Sequence, residues 1–109
     1  SLLPAETWET ALSIVIRLEI AGMKEEDLSV DIHGNILRIR GEKRSGVARE
    51  GRLYHLKERA YGHFERSISL PHEVDPDQAE VSYRGGVLTV ILRKTHALPP
   101  RRLNVSKQV

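Results

Sequence analysis

The chain has 109 residues, 39% of them hydrophobic and 29% charged, with a net charge of +2 and no cysteine. This is one domain with enough apolar residues for a core and little to spare. The absence of cysteine excludes a disulfide scaffold, a thiolate zinc site and a cysteine nucleophile, and it suits a reducing, cytoplasmic setting.

A net charge so near neutral gives no case for nucleic acid, despite a pI of about 9.2. The longest apolar stretches, around residues 11–16 and 87–92, are too short to cross a bilayer, and no signal-peptide pattern opens the chain. No membrane partner is therefore expected. Ser1 in place of an initiating methionine reads as a chain whose N-terminal arm has been removed.

From there the period is two almost throughout. Over residues 13–20, Ile14, Ile16, Leu18 and Ile20 share one face, while Val15 breaks the alternation on the other. Lys24 to Asp27 is one turn's worth of charge, read as a loop or short turn. Residues 28–33 place Leu28, Val30 and Ile32 in phase, Gly34-Asn35 is a two-residue hairpin signal, and residues 36–40 follow with Leu37 and Ile39. Residues 41–52 ("GEKRSGVAREGR") read as a long loop with almost nothing to bury. The strand expected after it, residues 53–60 with Leu53, Tyr54 and Leu56, is too polar for a sandwich interior. An edge or a partner subunit is its expected home.

In residues 64–70 ("FERSISL") the apolar phase holds Phe64, Ile68 and Leu70, and Arg66 falls in the same phase. Such an arginine either snorkels to solvent at an edge or pairs at a subunit interface, where its planar fork is favoured. Residues 79–83, the Gly85-Gly86 turn and residues 87–92 form a second hairpin. Repeated short strands with glycine turns predict an all-β, immunoglobulin-like antiparallel sandwich.

Little in the chain carries catalytic chemistry. Gly85-Gly86 leads into a strand and so cannot cradle a phosphate at a helix start. The five histidines lack metal-ligand spacing, and His72-Glu73 with Asp75, between two prolines, reads as a turn. No serine stands in a nucleophile-elbow context. Arg101-Arg102 lacks the stacking aromatics of a nucleic-acid patch, and the Asn104-Val105-Ser106 sequon is read as chance. The expectation is a non-enzyme without metal or cofactor.

The tail poses a question of its own. Beyond Pro99-Pro100 and two arginines, Leu103 and Val105 stand at i, i+2 and share a face if the segment is extended. They are either a last strand of the domain or a peptide for a groove on another chain.

Several of these stretches together resemble a known family. "AEVSYRGGVLTVIL" (residues 79–92), ending in Gly86-Val87-Leu88, resembles the A-x-x-x-x-G-V-L signature of the α-crystallin domain of small heat-shock proteins, bacterial and plant type. Residues 20–43 and 62–71 resemble further strands of that domain, and Leu103-Asn104-Val105 resembles the family's I-x-I/V tail anchor. Ala21 stands where the family usually has proline, and Leu103 replaces the usual isoleucine.

The resemblance implies an ATP-independent holdase that binds partly unfolded client proteins. It implies a homodimer, with Leu53, Tyr54, Leu56 and Arg66 at its interface, and a higher homo-oligomer. The anchor residues Leu103 and Val105 would enter a neighbour's groove lined by Val30, Ile32 and Val81. The expected division is an α-crystallin domain over residues 1–94, with residues 41–60 as loop and partner-crossing strand, and a C-terminal extension over 95–109. A β-sandwich module that recruits a folded partner, co-chaperone-like or unrelated to chaperoning, is the competing expectation.

Overall fold

The computed structural model describes residues 4–44, 61–97 and 105. Seven strands are present among them: β1 (Ala5–Glu9), β2 (Ser13–Glu19), β3 (Leu28–His33), β4 (Ile36–Arg44), β5 (Tyr61–Ser69), β6 (Val74–Arg84) and β7 (Val87–Lys94). They form a four-stranded sheet in the order β1-β2-β7-β6 and a three-stranded sheet in the order β3-β4-β5, every pairing antiparallel. The all-β sandwich is as expected.

The apolar phases of the sequence meet between the sheets. Ile14, Ile16 and Leu18 of β2, Leu88, Val90 and Leu92 of β7, and Leu37 and Ile39 of β4 are essentially inaccessible. Ile20, Leu70 and Val74 complete this cluster. Each such aliphatic side chain gains about 1.5–3 kcal/mol on burial, before chain entropy is charged against it. Val15, the break in the alternation, faces outward but stands in register between Trp8 and Ile91, which leaves it only 8% exposed.

Turn chemistry sets the registers. Gly34 has φ 59° while Asn35 stays out of the left-handed region, the φ signature of a type II′ turn that pairs His33 with Ile36. Gly85 and Gly86 have φ 56° and 78°, the type I′ pattern, which pairs Arg84 with Val87. The charged stretch between β2 and β3 forms a single 3-10 turn over Glu25–Asp27. Asp27 accepts a hydrogen bond from the Lys24 backbone amide at 2.9 Å, closing that turn.

Two expectations need correction, and one strand was not anticipated. Residues 41–44 are not loop but the end of β4, paired through Gly41↔Phe64 to Arg44↔Tyr61. Gly41 is there for space: a Cβ would overlap the Phe64 ring, so the aromatic covers a glycine across the strand pair. Secondly, β6 begins at Val74, not Ala79, with an irregular register between the two. Pro76 lies in that irregular stretch, on an edge strand where its missing donor is harmless. The unanticipated strand, β1, carries no signal in the sequence analysis, because its inward phase is Ala5, Thr7 and Glu9.

Candidate functional site

Two edge strands, β3 of one sheet and β6 of the other, flank an open side of the sandwich. The inward phase of β3 supplies Val30 and Ile32, and that of β6 supplies Ala79, Val81 and Tyr83. Among the described residues neither strand has a further neighbour to cover them, and Val30 and Ile32 are half-buried while Val81 is 51% exposed.

Two cavities lie along this side. One, of about 180 Å³, is lined by Val30, Ile32 and Val81 with Pro76 and Ala79, over a floor of Leu37, Val90 and Leu92. The other, of about 270 Å³, is lined by Leu28, Val30, Val81 and Leu88 with Glu25, Ser82 and Tyr83. Val30 and Val81 are common to both, so the two hollows adjoin along one groove. The first is apolar throughout, while the second has a carboxylate on its rim. The structure thus brings Val30, Ile32 and Val81 together around one hollow.

The wider end of the groove is fixed by Tyr83. Its hydroxyl lies 2.7 Å from the Ile20 carbonyl and 2.9 Å from the Met23 carbonyl, one donor shared between two acceptors. The Ile20 amide donates to the Gly86 carbonyl at 2.7 Å, and Lys43 Nζ donates to the Gly22 carbonyl at 2.6 Å. The segment after β2 is therefore tied to both sheets, and it holds Glu25 beside the groove.

The other expected residues are placed as follows. Arg66 stands opposite the buried Ile39 on the edge strand β5, half-buried in the inward phase with Phe64 and Ile68. Leu53, Tyr54 and Leu56 lie outside the described residues, as does Leu103. Val105 is 95% exposed. Among the described residues no group of three His, Cys, Asp or Glu side chains could hold a metal ion. Asp75 instead accepts from the Asp77 amide at 3.0 Å and from Gln78 Nε2 at 3.2 Å.

His72 belongs to a cluster that sequence reasoning missed. Lys94 ends the inward phase of β7 after Leu88, Val90 and Leu92, and its side chain is only 2% exposed. Its Nζ donates to the Thr10 carbonyl at 2.8 Å and meets Glu9 Oε1 at 3.0 Å, while His72 Nε2 lies 3.1 Å from the same oxygen. The Lys94 hydrogen bond holds the Glu9 carboxyl below its ordinary pKa against the opposing effect of desolvation, and the Lys94 and His72 charges add to it. A lysine in the phase of three buried aliphatics was the available signal.

The sequence profile described as the Hsp20/alpha crystallin family matches residues 6–106. The chain belongs to the Hsp20/alpha-crystallin family. Among its relatives, small heat shock protein C4 of Rickettsia felis is 32% identical over 84% of this chain and 56% of its own length. A 22.7 kDa class IV heat shock protein of Pisum sativum is 36% identical over 79% of this chain and 44% of its own. The chain thus spans about half the length of these small heat-shock relatives. Heat shock protein 16.0 from Schizosaccharomyces pombe superposes with a TM-score of 0.75 at 27% identity, covering 98% of this chain and 99% of that one. A small heat-shock protein from Xylella fastidiosa gives 0.67 at 28% identity, covering 98% of each chain. The seven strands above are therefore an α-crystallin sandwich, and the open groove between β3 and β6 is a feature of that domain in this chain.

Proposed function

We propose that this protein is an ATP-independent, cytoplasmic holdase that binds partly unfolded proteins and prevents their aggregation, and that it assembles from dimers into larger oligomers. The family supports a chaperone role without catalysis. The observation that carries the assembly reading is the open apolar groove lined by Val30, Ile32 and Val81, in a chain whose tail offers aliphatic residues at i, i+2. The 95% exposure of Val105 supports a tail that is available to another chain.

In this reading residues 1–94 are the domain and 95–109 the extension. Residues 53–60 cross to a partner's sheet, with Leu53, Tyr54, Leu56 and Arg66 at the dimer interface. Leu103 and Val105 fill a neighbour's groove, and burying one leucine and one valine gains roughly 3–6 kcal/mol gross. Ordering the tail offsets part of this, so a single engagement is weak while many in one assembly reinforce each other through effective concentration. The Xylella relative, described as having a distinct high order structure, supports assembly in this family.

The test is aggregation of a heat-labile enzyme followed by light scattering, with and without this chain and without ATP. Suppressed scattering at a stoichiometric ratio is expected. Unchanged aggregation, together with capture of one folded partner, would replace the holdase by the recruiting module. Sizing of the same sample should give a dimer or a multiple of it, and a monomer would refute the crossing strand.

A further inference from the structure

The outer face of the four-stranded sheet carries an apolar strip and an uneven charge. Across the register, Trp8, Val15, Ile91 and Glu80 form one row from edge strand β1 to edge strand β6. Trp8 is 42% exposed, and Val15 and the half-buried Ile91 continue the strip beside it. Towards the end of the sheet near Pro4, a hollow of about 90 Å³ is lined by Pro4, Glu6, Arg17, Glu19 and Val87. Two carboxylates there share one guanidinium.

The β6 side lacks such company. Arg84 has the apolar Val87 as its neighbour across the strand pair, and Glu80 has Ile91. Among the described residues no ion pair engages Glu6, Glu19, Glu80 or Arg84. Arg84 cannot reach Glu6 within one chain, because β6 and β1 are opposite edges, three strand spacings or about 14 Å apart. An unmatched cation thus stands at one edge, and an acidic hollow lies towards the other.

We propose that two copies of this chain pack outer face to outer face, about a two-fold axis parallel to the strands along the β2–β7 seam. This operation lays β6 of each copy over β1 of the other. Arg84 enters the acidic hollow of the second copy, where its planar fork can pair with Glu6 and Glu19. Val15 meets Ile91, and Glu80 meets the indole N–H of Trp8. Sheets packed in this aligned way cross at about 30°, and the symmetry makes every contact twice. A two-fold across the strands that kept the apolar strip in contact would set Glu80 against itself, and like charges oppose association. Four strands about 4.8 Å apart and seven residues of about 3.4 Å give a face of roughly 450 Å² per copy. That is short of the roughly 800 Å² per partner of a stable interface, so the contact is weak and needs a high local concentration of copies. It lies on the side of the sheet away from the groove and does not depend on what fills the groove.

The chain has no cysteine, so one introduced thiol reacts without background. Thr89 lies on β7 at the seam, opposite Arg17, and Ser67 lies on the outer side of the other sheet, opposite Arg38. Thr89→Cys and Ser67→Cys are each treated with a short bis-maleimide at high protein concentration, and linked chains are resolved on a denaturing gel. Thr89→Cys should give several-fold more linked dimer. In that background Arg84→Glu or Glu6→Arg alone should lower the yield several-fold, and the two together should restore it, because the exchanged charges meet again between copies. Equal yields from the two thiols would overturn the packing. Losses that add instead of cancelling would separate Arg84 from Glu6 and overturn the two-fold. If Thr89→Cys gives no linked dimer but is shielded from a monofunctional maleimide by an added heat-denatured protein, the face belongs to clients and the self-packing falls.

Discussion

Val90 and Val81 stand opposite each other across the β6–β7 pair, yet Val90 is fully buried while Val81 is 51% exposed. Both belong to the inward phase of the same sheet. The difference is position: β7 is interior to its sheet and faces β4, whereas β6 is an edge strand with the open groove beside it. Identical side chains in identical register thus do different work. Those over β4 hold the domain together, and those along β6 and β3 leave apolar surface for something else to cover. Stability and assembly should therefore separate by strand, and each substitution below strains that separation in a different place.

The largest effect belongs to the closed centre. Ile16 of β2 is completely buried, between Thr7 and Val90 in register. Ile16→Ala should cost about 2–5 kcal/mol, because a cavity is left among neighbours that cannot collapse into it. With a shift of about 4–8 °C per kcal/mol for a domain of this size, thermal unfolding followed by circular dichroism would read a loss of ten degrees or more. A loss of only a degree or two would mean that the centre is no more closed than the groove.

The Glu9–Lys94 corner comes next. Glu9→Gln leaves the buried Lys94 ammonium with the Thr10 carbonyl and a neutral amide in place of a carboxylate. The expected cost is about 1–3 kcal/mol, toward the lower end because water reaches the half-exposed carboxylate. The pH dependence has a fixed sign. The folded pKa of Glu9 is lowered, so its stabilisation is present above the ordinary carboxylate pKa and is lost as pH falls through the folded value. Unfolding curves of the parent and of Glu9→Gln should therefore differ at neutral pH and converge below about pH 4.5. A gap that is constant through acid would deny the carboxylate its role.

Gly41 offers an effect of comparable size on an edge pairing. A methyl there overlaps the Phe64 ring, and displacing that half-buried ring should cost about 1–3 kcal/mol. Combining Gly41→Ala with Phe64→Leu should cost less than the sum of the two single changes, since the overlap is relieved. Additive losses by denaturant unfolding would show that the ring does not sit on the glycine.

How far the chain could be read depends on where alternation survives. β2, β3 and β7 and the two glycine turns were legible because one face is buried and the other wet, which writes period two into the sequence. β1 was not, since Glu9 serves as an inward ion-pair partner and Thr7 and Ala5 add little contrast. Residues 41–44 resembled loop because a glycine that makes room for an aromatic across the strand looks, along the chain, like a glycine that makes a turn. Lys94 escaped notice because its partner lies eighty-five positions away (94 minus 9), a distance that no local pattern encodes. Val30, Ile32 and Val81 could be picked out by phase and by family resemblance. That they border one hollow required the stacking of the two sheets.

The smallest effect on stability, and the sharpest contrast with Ile16, is expected from the tail. Leu103→Ala together with Val105→Ala removes most of the apolar gain of each proposed groove contact. The described part of the core contains neither residue, and Val105 is exposed. The melting temperature should therefore move by no more than a degree or two, while assemblies larger than a dimer dissociate in size-exclusion chromatography with light scattering. Val81→Ser should act on the same assembly from the other side, weakening tail capture with a comparably small loss of stability, because Val81 is already half in water. If both changes act at one contact, the triple variant should assemble no worse than the tail variant alone, since the contact can be lost only once. A triple variant that falls apart further would place Val81 and the tail in separate contacts. A large drop in melting temperature from the tail change would return Leu103 and Val105 to the core of their own domain, and the division of labour between β7 and β6 would no longer extend to the tail.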